Sequence, residues 1–198
     1  MDDYIVFFDL ETTGLNYKEG RVIQIAAAAT TGFPQLEVVD HFEAKLVVDP
    51  KYLRKLWKGS NYDTQIWEDE ALSPHEAWVS FFEFTKPYRT VSRKNYYGGW
   101  AKVAQLAGHN AATFDRNWLW HEAKDIHKLT PPVSGNVFDT MQLALFVQML
   151  GRIDVPNIQL GTLAEAAGCP LGADAHDALA DINATVQVTR WLLGKLAR

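Results

Sequence analysis

Asp9 and Glu11 stand two residues apart at the end of the apolar run Ile5–Phe8, in the stretch IVFFDLETTGL. Along a strand, side chains i and i+2 leave the same face about 6.8 Å apart, so both carboxylates point the same way. Two acids converging at the tip of a hydrophobic strand repel one another unless positive charge sits between them, and a hard divalent cation bound by oxygen ligands meets that need. A strand running into a solvated turn at Thr12, Thr13 and Gly14 would carry the same residues, and this pair alone does not separate the two. A metal centre needs further acids from distant segments, brought in at strand ends and helix starts. Asp115, in GHNAATFD, follows a short apolar strand and opens a helix, where an acid also interacts well with the helix dipole without any ligand role. In AHDALAD, His176 precedes Asp181 by five residues, about 140° around a helix, so the two cannot share a helical face. They come together if Asp181 sits in the first turns of the last helix and His176 on the glycine-containing approach GCPLGADA.

The elements that must position these residues are legible in outline. The chain reads as strands over Tyr4–Phe8, Arg21–Thr30 and Val38–Val48, joined by short turn-rich segments that predict an antiparallel meander. Ser73 and Pro74 then predict a helix start, Ser as cap and Pro in the first turn, with Trp78, Phe81 and Phe82 on its buried face. A short strand AQLAGHN, a helix over Phe114–Asp125, a Pro/Gly connection over Thr130–Asn136, a short strand at Val137–Phe138 and an apolar helix from MQLALFVQML follow, with Asp139 or Thr140 as cap. Leu160–Ala167, ended by Gly168, and Asp177–Lys195 close the pattern. The fold class this predicts is α/β: a mixed β-sheet with an antiparallel first half, flanked by helices.

The chain has 198 residues, the size of one ordinary domain, and 47% hydrophobic content, sufficient for a substantial core. With Cys169 as the only cysteine, no intrachain disulfide and no thiolate zinc cluster can form. No basic N-terminal leader and no bilayer-length apolar run occur, so a soluble, cytoplasmic protein without a membrane partner is expected. The net charge of −5 does not exclude nucleic acid, because metal-binding acids have their charge offset locally. From Lys86 to Lys102 the chain holds Lys86, Arg89, Arg93, Lys94 and Lys102 with no acid, interleaved with Tyr88, Tyr96, Tyr97 and Trp100. There Trp100 could stack on a base and Arg93 and Lys94 could reach phosphate, or the aromatics could pin a surface loop to the body. The remaining tryptophans, Trp67, Trp78, Trp118, Trp120 and Trp191 among them, are expected in the core.

In order, DLETTGL, HNAATFD and HDALAD resemble the three motifs of the DEDD 3′→5′ exonucleases, in the DnaQ-like branch that carries a catalytic histidine. The sister branch would need a tyrosine four residues before Asp181, and Asp177 stands there. The resemblance spans residues 5 to about 190 and implies a ribonuclease-H-like fold in a single domain over residues 1–198. The second motif has three residues between Asn110 and Phe114 where many relatives have two, and residues 86–103 resemble a basic, aromatic insertion. The resemblance further implies two Mg²⁺ or Mn²⁺ ions about 3.5–4 Å apart. Asp9 would bridge both, Glu11 and Asp181 would complete one site, Asp115 would hold the other through water, and His176 would act as general base. Thr12, Thr13 and Gly14 would meet the terminal nucleotide of a single-stranded DNA or RNA 3′ end, Leu15 would wedge against its base, and Asn110 would order its turn or contact substrate. His109 is read as closing its strand with its ring hydrogen-bonded locally. Asp139 is expected to be a helix cap, and Asp154, Asp174 and Asp177 match no motif position. A non-catalytic nucleic-acid- or polymerase-binding module of the same fold is the competing reading.

Overall fold

The computed structural model describes residues 3–54, 56, 67, 69–94, 98–171 and 178–197. Its sheet is built on β1 (Tyr4–Thr12), which pairs antiparallel with β2 (Val22–Thr31), itself antiparallel to β3 (Val38–Lys45). On the other edge of β1 the pairing turns parallel, to β5 (Trp100–Gly108), which pairs in turn with the parallel β6 (Val133–Asp139) and with the antiparallel β4 (Val91–Lys94). This is the mixed sheet of a ribonuclease-H-like α/β fold.

Strand alternation divides the core between the two faces of the sheet. Val6, Phe8 and Leu10 pack with Trp78, Phe81 and Phe82 of α2 (Pro74–Phe84) and with Trp118 and Leu119 of α3 (Asp115–Leu119). Ile5 and Phe7 pack on the opposite face, against Ala178, Ile182 and Val186 of α6 (Ala178–Leu196), whose i, i+4, i+8 spacing puts them on one stripe. Ala26 and Ala28 of β2 lie beneath the same helix, and side chains this small let it sit close to the sheet. Between α6, α4 (Thr140–Met149) and α5 (Leu160–Ala167) lies a third apolar cluster, around Val147, Leu163, Val188 and Leu192. A short α1 (Pro50–Leu53) follows β3. Among the described residues, no helix is long and apolar enough to cross a membrane.

Several boundaries follow the sequence chemistry. Ser73 closes a complete capping box, its hydroxyl accepting from the Glu76 amide while the Glu76 carboxylate accepts from the Ser73 amide, worth about 1 kcal/mol to α2. Gly168 ends α5 with φ of 80°, a left-handed turn that glycine adopts without steric cost. Trp67, Trp78 and Trp118 are buried, as their helical contexts predicted.

Other elements run differently from expectation. β6 covers residues that the Pro/Gly content of Thr130–Asn136 marked as a connection, because its amide and carbonyl groups pair with β5. The helix after Asp115 is α-helical only to Leu119 and then widens into a π-helical stretch, Trp120–Ile126. That stretch contains Glu122, an acid that is 1% exposed. Its carboxylate accepts from the Val22 amide at 2.9 Å and the Trp78 indole N–H at 3.5 Å, so it ties the start of β2 to two helices.

Burial pushes the Glu122 pKa up to about 7, against the two hydrogen bonds and Arg21, which favour the anion. A carboxyl raised in the folded state contributes stability that is fully present below its unfolded pKa and lost as pH rises through the folded value. From about pH 4.5 to 7 this removes roughly 3 kcal/mol, at 1.36 kcal/mol per pKa unit. Glu122→Gln keeps an acceptor for Val22 but cannot titrate. Denaturant unfolding across this window is therefore expected to show a falling stability in the parent chain that is about 3 kcal/mol shallower in the variant; parallel curves would remove Glu122 as the cause.

Candidate active site

Asp9 and Glu11 continue the Ile5–Phe7 row of β1, on the face covered by α6. A register shift between Glu11 and Thr12 bends the strand just where the acids end, a common way to re-aim a side chain beside a site. Asp181 lies in the first turn of α6, one residue before the sheet-facing Ile182, and is carried over the strand end from above. Asp9, Glu11 and Asp181 each offer a carboxylate oxygen, and these atoms all lie within 4.8 Å of one another. All three residues are half-buried.

Asp115 enters from the neighbouring parallel strand. β5 ends at Gly108, where a Cβ would sit 2.6 Å from the Ala111 Cβ and 2.7 Å from the Phe8 carbonyl oxygen, so glycine alone lets the following turn fold back on β1. Asn110 takes a left-handed φ of 61°, and its side-chain oxygen accepts from the Thr113 hydroxyl at 2.6 Å. Asn110 thus orders the turn, one of the two roles expected of it. The turn delivers Asp115 to the N-terminus of α3 with 2% exposure, and the Leu10 amide donates to it at 3.0 Å, between the two β1 acids in sequence.

Burial and then the Asp9 carboxylate hold Asp115 well above the usual carboxylate range, with the Leu10 hydrogen bond opposing them. Three carboxylates crowded this closely, with Asp115 lining the same cleft, suit a hard divalent cation, which offsets their charge. Asp115→Asn removes the buried acid but keeps an oxygen for Leu10. It is therefore expected to stabilise the metal-free chain at neutral pH while lowering any metal-dependent activity. Unfolding with a chelator present checks this, and a destabilised variant would show that the carboxylates tolerate one another.

Two further residues have roles that motif spacing did not reveal. Asp139 caps α4 as expected, accepting from the Met141 amide at 2.9 Å. It also accepts from the Asn110 and Ala112 amides, each at 3.0 Å, and so anchors the turn that carries Asp115. Its position after a β-strand and opposite a turn with unpaired amides is a three-dimensional fact that its capping signature does not encode. His109 corrects the expectation of a locally hydrogen-bonded ring, because among the described residues neither ring nitrogen has a partner in hydrogen-bond geometry. Burial pushes its pKa down, with Asp139 and the Ile158 carbonyl opposing.

The four acids line a cleft of about 930 Å³ together with Thr12, Gly14, Leu15, His109 and Phe114. Leu15 is 90% exposed on its lip, a position for a large apolar side chain that burial does not explain. Thr12 donates to the Gly14 carbonyl at 2.7 Å, fixing the turn beyond the acids. Thr13 is different: its side chain is buried, and its hydroxyl accepts from the Arg21 amide at 2.9 Å, bracing the turn from behind. Arg93, Lys94 and Trp100 lie elsewhere, on the β4–β5 hairpin, where Lys94 opposes Trp100 across the ladder. The basic segment is thus the outer end of the strand that leads to Asp115. His176, like Asp174, Asp177, Tyr96 and Tyr97, lies outside the described residues.

A ribonuclease-H-like domain with carboxylates gathered at the end of its central strand defines a class of protein. No family model matches the chain. It is 29% identical over 196 residues to the PolC-type DNA polymerase III of Caldanaerobacter subterraneus subsp. tengcongensis and 26% identical over 204 residues to that of Clostridium perfringens. These matches cover 99% and 98% of this chain but 12% of each polymerase, so the chain spans about an eighth of the length of the curated relatives it matches. Among solved structures, E. coli exonuclease I in complex with a dT13 oligonucleotide has a TM-score of 0.74 at 17% identity, over 99% of this chain and 42% of that one. A moderately thermophilic exonuclease I from Methylocaldum szegediense has a TM-score of 0.68 at 21% identity, over 99% and 41%. The chain is therefore similar over nearly its whole length to a segment of the PolC-type polymerases, and it shares the fold of the exonuclease I structures.

Proposed function

We propose that this domain is a divalent-metal-dependent 3′→5′ exonuclease that hydrolyses the terminal phosphodiester bond of single-stranded DNA or RNA and releases nucleoside 5′-monophosphates. The observation that carries this reading is the convergence of Asp9, Glu11 and Asp181 within 4.8 Å, beside the buried Asp115, in an open cleft. The similarity to E. coli exonuclease I, whose structures include a dT13 complex and a zinc-bound form with single-stranded DNA, supports it.

Asp9, Glu11, Asp181 and Asp115 would hold two Mg²⁺ or Mn²⁺ ions, which supply a nucleophile at neutral pH and stabilise charge on the leaving oxygen. The turn from Thr12 to Leu15 receives the 3′-terminal nucleotide: Thr12 fixes its shape, Gly14 has nothing within 4 Å of where a Cβ would stand, and Leu15 presents its apolar side chain to the base. His176 accepts the proton of the attacking water, a role suited to an imidazole because its charge changes near neutral pH. The proton leaves the site as the imidazolium releases it to solvent, and the 3′ oxygen of the shortened strand departs with a proton from water.

Matched 5′-labelled DNA and RNA single strands, incubated with Mg²⁺ or Mn²⁺, test the reading. Stepwise shortening from the 3′ end is expected. Strands that stay full length with every divalent ion, yet bind the protein, would favour the non-catalytic binding module.

A further inference from the structure

A second concavity of about 590 Å³ lies between the β4–β5 hairpin and the π-helical stretch after α3. Five cations line it: Arg93, Lys94 and Lys102 from the hairpin, and Lys124 and Lys128 from the helix and the residues after it. Among the described residues no acid lines it, in a chain whose net charge is −5. Among the described residues none of the five forms an ion pair. Their nearest partners are neutral acceptors and rings. Arg93 donates to the Val133 carbonyl at 3.4 Å, Lys102 to the Thr90 carbonyl at 2.8 Å and Lys128 to the Asp125 carbonyl at 2.6 Å. Lys94 lies over the Trp100 ring and Lys124 over the Trp120 ring, each 5.7 Å from the centroid. The positive charge is therefore held in place without being neutralised.

The floor is apolar, formed by Leu129, Pro131 and Pro132 with the Trp120 indole beside them. The π-helical stretch has a part in this arrangement, since residues four to five apart share a face in its wider turns and Trp120 and Lys124 therefore point into the groove together. Trp100, 70% exposed at the rim, adds a second ring. Rows of cations beside aromatic faces bind single-stranded nucleic acid: the cations track phosphates, the rings stack on bases, and neither reads sequence.

Placement points the same way. β5 runs from the groove, at Ala101–Val103, to the carboxylate centre beyond Gly108, so Lys102 and Gly108 are about 20 Å apart at 3.3 Å per residue. α3 begins at the centre with Asp115 and passes into the stretch that lines the groove. A strand whose 3′ end occupies the cleft can reach the groove with a segment several nucleotides upstream.

We infer that the groove between the β4–β5 hairpin and the π-helical stretch is a second nucleic-acid site, which holds the phosphodiester backbone of a single strand upstream of the 3′ end being hydrolysed. Its link to hydrolysis rests on the reading of the cleft proposed above. Binding is of the backbone, so DNA and RNA single strands are held alike, and long strands are processed more efficiently than short ones.

The test is equilibrium binding of 5′-fluorescein oligothymidylate and oligouridylate of roughly 16 nucleotides, with chelator present to prevent hydrolysis, over a salt series. The variants are Lys124→Glu with Lys128→Glu on one wall, and Lys94→Glu on the other, each with its melting temperature measured. The double variant is expected to weaken binding of both strands about tenfold or more at low salt and to reduce the salt slope by about 1.4, or 0.7 for each lost phosphate contact. Lys94→Glu is expected to act in the same direction with about half that slope change. The ratio of kcat/KM for the long strand to that for a trinucleotide is expected to fall with them. Folded variants that bind both strands with the parent affinity and salt slope would overturn the inference. So would losses confined to one sugar type, or confined to an oligoglutamate peptide used as a competing probe. If the parent chain hydrolyses nothing but the variants still lose affinity and slope, the reading of the cleft fails and the groove stands as a nucleic-acid site.

Discussion

Asp9→Asn is expected to lower 3′-end hydrolysis by well over 100-fold, beyond the roughly 10–100-fold cost of losing a group that merely orients a metal ligand. Asp9 lies on the central strand, pairs with Ala26 and faces α6, so the amide changes neither volume nor the packing beneath it. It does change the charge that the rest of the site shares. Asp9 contributes to the Glu11–Asp181 cluster and, after burial itself, is the main cause of the raised Asp115 pKa. In Asp9→Asn the Asp115 carboxyl is expected to shift back toward its ordinary value, and the chain is expected to melt no lower than the parent with chelator present. The parent gains melting temperature as Mn²⁺ is added, because a ligand that binds only the folded state stabilises it. The variant is expected to lose most of that gain. Equal gains in both proteins would mean that the ion binds somewhere else.

His176→Ala is expected to reduce turnover about 10²- to 10⁴-fold, the usual contribution of a positioned general base. The signature that separates it from the carboxylates is in pH and metal. A base must be neutral to accept a proton, so the parent rate is expected to rise with pH as the imidazole loses its proton, and the variant to lose that limb. The Mn²⁺-dependent gain in melting temperature is expected to survive, because the clustered donors are carboxylate oxygens that the substitution leaves in place. A variant as active as the parent would remove His176 from the mechanism, and one that no longer responds to Mn²⁺ would make it part of the metal centre instead.

Much of the site was legible because it rests on local periodicity. Alternation along β1 places Asp9 and Glu11 on one face, and the cap and turn chemistry around Ser73 and Gly168 sets helix ends where they are found. Asp115 at a helix start and Asp181 in the first turn of the last helix follow from the same rules. What escaped depends on partners far away in sequence. Residues 133–136 read as a connection because Pro132 and Gly135 punctuate them, yet pairing with β5 makes them strand. Residues 86–103 read as an insertion relative to the family pattern, and from Trp100 they run as a continuous extension of β5, exposed over its first three residues. Glu122 lies in a segment read only as helix, and the approach of Val22 and Trp78 is what makes its burial tolerable. The anchoring role of Asp139 and the unpartnered ring of His109 likewise arise from the way the second motif folds back on the sheet.

A single strand labelled on the 3′-terminal nucleotide, incubated with Mn²⁺ and the parent chain or Asp9→Asn, with the first released product identified by mass, reads out whether the carboxylates at the end of β1 support cleavage at a 3′ end with a divalent ion. A labelled nucleoside 5′-monophosphate from the parent and none from the variant is the predicted result. Release of a 3′-phosphorylated or oligonucleotide product, or equal release by both proteins, would contradict it.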